Sequence, residues 1–162
     1  EVEGLWTVEG NRSMMLSRDS LLRFEDLATS YLSSTDRSTD SRTIWDGINS
    51  HEQLVMWDAM AEASRKQFLG AGELVLIASA EHWMDVASRH LSMHGLGRVT
   101  KATEIDNHGG IELHLSGALH PAVVTGTLLG CWERAEGRGA QAVWKSTEDG
   151  HLIILKNRRE IA

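Results

Sequence analysis

Between Arg98 and Leu155 the chain reads strand, turn, strand, helix, strand, turn, strand, with almost no residue left over. RVTKATEI (98–105) and IELHL (111–115) flank a turn at Asn107-His108-Gly109-Gly110. A helix opens at His120-Pro121, where proline's missing amide costs nothing, and carries Ala122, Gly126 and Gly130 on one face. AQAVWKS (140–146) and HLIIL (151–155) then flank Glu148-Asp149-Gly150. Strand 111–115 alternates Ile111, Leu113 and Leu115 with Glu112 and His114, the pattern of a sheet covered on one side and wetter on the other.

Upstream the signals are helical. WTVEGNRSMMLS (6–17) suits a pair of short strands around Glu9-Gly10-Asn11. Apolar residues at threes and fours from Leu21 to Leu32 predict a helix over 19–32. Residues 33–43, SSTDRSTDSRT, contain no apolar side chain and read as a mobile polar loop. Ser50 and Gln53 fit a capping box for a helix whose stripe is Leu54, Trp57, Ala61, Ser64 and Phe68, with Met60 beside it and Gly70 and Gly72 at its end. GELVLIAS (72–79) suits either a buried strand or the first turns of a helix. A further helix over 80–93 buries Trp83, Val86, Ala87, His90 and Leu91, and stops at Gly95. Four strands after three helical segments predict one α+β domain over residues 1–162. Its antiparallel sheet has about four strands, with helices packed on one face.

A chain of 162 residues can bury one core. No apolar run reaches the roughly 18–20 residues of a membrane helix. The opening EVEGLWTVEG lacks the basic and apolar regions of an export signal. The one cysteine, Cys131, leaves no internal disulfide, so a reducing cytoplasmic setting is expected. A net charge of −7 argues against nucleic acid as a partner, and Lys156-Asn157-Arg158-Arg159 reads as a solvated tail.

Several passages resemble the 4-vinyl reductase domain, a small-molecule-binding family related to subunits of vesicle-tethering transport-protein-particle complexes. They are Gly95-Leu96-Gly97-Arg98 leading into a strand, Thr125 to Gly130 in the glycine-bearing helix, and the hairpin 140–155 with Gly150. Gly10-Asn11-Arg12 through Tyr31 is similar to the family's first strand and helix, so the resemblance spans most of the chain outside 33–48. It implies a binder of hydrocarbons or aromatic compounds that dimerises through helices, here the stripes on 19–32 and 50–68. The family's metal-binding cysteines are missing: their places fall near His120, at Gln141 and Trp144, and at His151 or Leu152. Two histidines without a third ligand make a poor zinc site, so no metal is expected.

No nucleotide-binding glycine loop or nucleophile elbow is present. His90 and His94 lie four apart on a helix, half of a metal site or two ordinary interfacial histidines. His108 and His114 read as solvated. His120 enters a helix whose N-terminal potential favours an uncharged imidazole, able to hydrogen-bond a phenol or carbonyl, or simply begins the helix. Cys131, beside Trp132, reads as a small packing residue. Six tryptophans against one tyrosine and two phenylalanines can fill a core or wall a pocket for a planar ligand.

The expectation is a noncatalytic binding and sensing domain for a small hydrophobic or aromatic molecule, acting as a homodimer. Trp57, Met60, Trp83, Trp132 and Trp144 form the walls, and His90 or His120 the polar anchor. No catalytic residue or cofactor is expected. Two alternatives stay open: a protein–protein adaptor, and an enzyme using histidine acid–base chemistry on a tetrapyrrole or polyketide-like substrate.

Overall fold

A computed structural model describes residues 6–8, 11–13 and 16–158. Strands β1 (Trp6–Val8) and β2 (Asn11–Ser13) pair antiparallel as expected, while the turn at Glu9-Gly10 lies outside the described residues. Helix α1 (Arg18–Thr29) starts at Ser17, whose side chain accepts from the Ser20 amide, and stops short of the predicted Leu32. After β3 (Thr43–Trp45) comes α2 (His51–Gly70), capped by the predicted Ser50 side chain on the Gln53 amide. Helix α3 (Ala80–His90) ends earlier than predicted, because Ser92–His94 tightens into a 3₁₀ turn that Gly95 closes in the left-handed conformation. The remaining elements are β4 (Arg98–Glu104), β5 (Ile111–Ser116), α4 (Pro121–Glu136), β6 (Ala140–Thr147) and β7 (Gly150–Asn157), in the predicted order.

The sheet corrects the expectation of about four antiparallel strands. It has five strands in the order β3-β6-β7-β5-β4, and β3 runs parallel to β6, so the sheet is mixed. β3 is three residues at the end of the polar stretch, too short to show a period, and its partner lies far along the chain. The segment 72–79 forms neither strand nor helix. It runs between α2 and α3 with Val75 buried and Leu74 and Leu76 exposed.

The inner face of the sheet carries Ile111, Leu113 and Leu115, Ile153 and Leu155, Ala140, Ala142 and Trp144, and Trp45. Against it lie α4, on β6 and β7, and α3, on β4. Helix α2 crosses α4 where Gly126 and Gly130 face it: a Cβ on Gly126 would lie 2.1 Å from the Ala61 carbonyl oxygen, and one on Gly130 2.9 Å from Phe68 Cβ. The outer face, with Glu112 bonded to His114 at 3.0 Å and Lys145 exposed, is the wetter side the alternation predicted.

Helix α1 differs from the others in burying no residue fully. Ala28 and Leu32 touch the core, while Phe24, Leu27 and Tyr31 point outward at 63%, 67% and 81% exposure. No helix among the described residues is long and apolar enough to cross a membrane.

Candidate functional site

Three tryptophans from three elements meet in one cluster. The β3–β6 register sets Trp45 opposite Trp144, with ring centroids 6.1 Å apart. Trp57, on the buried stripe of α2, stands edge-on to both, 5.1 Å from Trp45 and 5.3 Å from Trp144. His120 joins from the start of α4, 5.4 Å from Trp57, and His151 from β7, 5.4 Å from Trp144. Perpendicular rings set the positive edge of one on the electron-rich face of the next, which holds the group in a fixed arrangement.

The polar edges of this cluster are mostly satisfied. Trp45 Nε1–H donates to Asp58 Oδ1 at 2.8 Å, and Trp57 Nε1–H to Glu25 Oε1 at 2.5 Å. His120 is the N-cap of α4. Its Nδ1 accepts from the Ala122 amide at 3.1 Å, which assigns the proton to Nε2, and Nε2–H donates to Glu25 Oε2 at 2.8 Å. Glu25 therefore ties α1 both to α2 and to the start of α4. Two atoms stand apart. Trp144 Nε1 and His151 Nδ1 are buried without a hydrogen-bond partner, and the Trp144 residue is only 4% exposed. Burial holds the His151 imidazole below the ordinary histidine range and so favours its neutral form.

Of the seven predicted ligand-binding residues, Trp57, His120 and Trp144 converge here. The others lie elsewhere. Trp132 donates to the Gly109 carbonyl at 2.7 Å, under the Arg138 guanidinium. Trp83 lines a cavity of about 230 Å³ with Glu104, Asp106 and Glu136. His90 is buried against Phe68, with Nδ1 2.9 Å from Glu73 Oε2, while His94 is exposed. Met60 is half-buried against the core. Among the described residues no three His, Cys, Asp or Glu side chains are placed to hold a metal ion.

The polar segment 33–43 is laced to the body. Arg37 forks onto Asp58, Ser41 donates to the same carboxylate at 2.7 Å, and Arg42 reaches Glu133 at 3.0 Å. Glu133 also accepts from Arg65 at 2.5 Å and from the Ala140 amide at 2.8 Å. A cavity of about 310 Å³ opens between this segment, α2 and Leu129. Its floor includes Val55, Ala59 and Ala61, and its rim Asp36, Asp40, Glu62 and Lys66.

Cys131 takes no part in either group. It is fully buried, and burial pushes its thiol far above the ordinary range, with the Glu73 charge adding to this. Iodoacetamide should leave it unmodified in the folded protein and alkylate it after denaturation, as mass spectrometry would show. Rapid modification of the folded chain would contradict this placement.

Sequence reasoning missed Glu25, Trp45 and Asp58. A carboxylate on a helix reads as solvated, and Trp45 sits in a strand too short to be seen. No family model and no curated protein matches the chain. Among solved structures it is similar to a vinyl-4-reductase family protein from Methanocaldococcus jannaschii, with a TM-score of 0.48 and 11% sequence identity over 91% of this chain and 85% of that one.

Proposed function

We propose that this chain is a noncatalytic binding domain for a small aromatic molecule carrying an oxygen acceptor, such as a phenol or an aryl ketone. The molecule is held at the Trp45–Trp57–Trp144 cluster, beside Glu25 of α1. One observation carries this reading: the indole N–H of Trp144 is buried without a partner, whereas those of Trp45, Trp57 and Trp132 each have one. A buried unpaired donor costs about 1–3 kcal/mol, which a ligand oxygen would offset. His151, with its unpartnered Nδ1, adds a second polar group beside it. Entry requires α1 to swing aside, and this is the helix with no fully buried residue. Breaking its Glu25 bonds would carry the binding event to the surface.

Tryptophan fluorescence, titrated with a panel of phenols and aryl ketones, tests the reading. A saturable change is expected with at least one compound. Trp144→Phe keeps the ring and removes the donor, so affinity should fall roughly 3- to 10-fold with the circular dichroism unchanged. An unchanged affinity in Trp144→Phe, or no saturable response across the panel, would sink the proposal.

A protein–protein role is the second reading, favoured by the outward Phe24 and Leu27 on α1 and Tyr31 just beyond its end. In it these side chains form a homodimer contact, as a vesicle-tethering type of subunit would. Sedimentation would then show a dimer that Leu27→Glu dissolves, with no dependence on aromatic compounds.

A further inference from the structure

Where β3 and β6 begin, beside the larger cavity with its Asp36, Asp40 and Glu62, lies another hollow of about 220 Å³ with the opposite character. Among the described residues Arg37, Arg42 and Arg158 line it, together with Ser38, Ser41 and Gln141, and no Asp or Glu does. The arginines arrive from different parts of the chain: Arg37 from the polar segment, Arg42 from the residue before β3, Arg158 from just beyond β7. Each has an acidic partner outside the lining, Asp58 for Arg37, Glu133 for Arg42 and Asp40 for Arg158. Those carboxylates position the guanidinium groups without closing the hollow.

Two details show donor capacity left over. Arg42 gives Nη1 to Glu133, yet its Nε–H is buried with no partner. Arg158 is held by an exposed carboxylate, Asp40, at 2.7 Å, a bond easily exchanged for another oxygen. Guanidinium forks match carboxylates and phosphates alike. Three arginines from separate segments, lining one hollow with Ser38 and Ser41, suit an ion with acceptors in more than one plane. That describes a tetrahedral oxyanion better than a flat carboxylate.

We infer that this hollow is a binding site for a phosphate group, either as free inorganic phosphate or as the terminal group of a small phosphomonoester. The chain carries a net charge of −7, so its field as a whole repels such ions and diffuse attraction cannot imitate the site. On binding, the phosphate displaces Asp40 from Arg158. The hydrogen bond and charge of Arg158 hold the Asp40 carboxyl below its ordinary range, so its titration should move upward when phosphate takes that arginine.

Titration calorimetry with inorganic phosphate and with glycerol 3-phosphate tests this on the full chain. Saturable binding of either supports the site, and tighter binding of the ester identifies a phosphomonoester rather than the free ion as the ligand. Arg158→Gln leaves the buried Arg42–Glu133–Arg65 contacts in place and should weaken binding about 10-fold. Asp40→Asn releases Arg158 and should tighten it. Acetate at equal ionic strength should bind more weakly than phosphate. No saturable binding of either phosphate compound, equal affinity for acetate, or an Arg158→Gln variant that binds as the parent does would each overturn the assignment.

Discussion

Gly126→Ala should destabilise the chain by several kcal/mol, and Gly126→Val should prevent it from folding. The added Cβ would stand 2.1 Å from the Ala61 carbonyl oxygen and 2.8 Å from that residue's C and Cα atoms. These are backbone atoms of α2, so no rotamer can clear the space, and the helices must separate by about 1 Å to restore ordinary contact. Separation loosens everything else along the crossing, including Phe68 against Gly130. Inserted volume in a packed core typically costs about 1–3 kcal/mol even where side chains can adjust. Gly130→Ala is the internal control. Its Cβ meets Phe68 Cβ at 2.9 Å and the ring at 3.0 Å, a far milder approach than 2.1 Å to a backbone carbonyl, so a smaller shift relieves it. Denaturant unfolding should therefore rank Gly126→Ala well below Gly130→Ala. Equal stabilities would mean that the α2–α4 crossing is not the tight point described.

The second large effect is at Glu133. This one carboxylate receives Arg42, Arg65 and the Ala140 amide, and its side chain and that of Arg65 are only 9% and 11% exposed. Glu62 first, then Glu133, hold the Arg65 guanidinium firmly protonated against the effect of burial. Glu133→Ala leaves Arg42 and the Ala140 amide without this acceptor, and Arg65 with Glu62 alone. Removing one member of a buried ion group typically costs about 3–5 kcal/mol, because the remaining charge stays out of water. Glu133→Gln keeps an oxygen acceptor and should lose less. A loss below about 1 kcal/mol in Glu133→Ala, measured by urea unfolding, would place this network with screened surface pairs instead.

The half of the chain after Gly95 was legible because each element there displays its own period. β5 alternates, α4 is bracketed by Pro121 and Gly137, and both hairpins turn at glycine-bearing bends. β3 was not legible, since three residues cannot show alternation and its partner is remote. For the same reason the mixed character of the sheet was hidden. Periodicity identified α1 as a helix but mixed its two faces: Ala28 and Leu32 turn inward, while Phe24, Leu27 and Tyr31 do not.

The candidate site followed the same logic. Spacing along α2 put Trp57 on a buried stripe, yet only tertiary stacking decides that it meets Trp45 and Trp144 rather than Trp83 or Trp132. The arginines of 33–43 and the C-terminal cluster looked like solvated charge. Arg37, Arg42 and Arg158 face one hollow only because β3 joins the sheet beside β6.

That parallel pairing also orders events in time. Thr43–Trp45 has as its partner Ala142–Trp144, so a ribosome releases the N-terminal third long before the strand that receives it exists. The antiparallel hairpins of the second half join neighbours in sequence and can close early, whereas β3 must wait for a distant contact. Until then Trp45 and the Arg37–Asp58 fork have no sheet edge to settle on. Both candidate sites therefore assemble only after β6 has been made, and a chain cut before it would have neither.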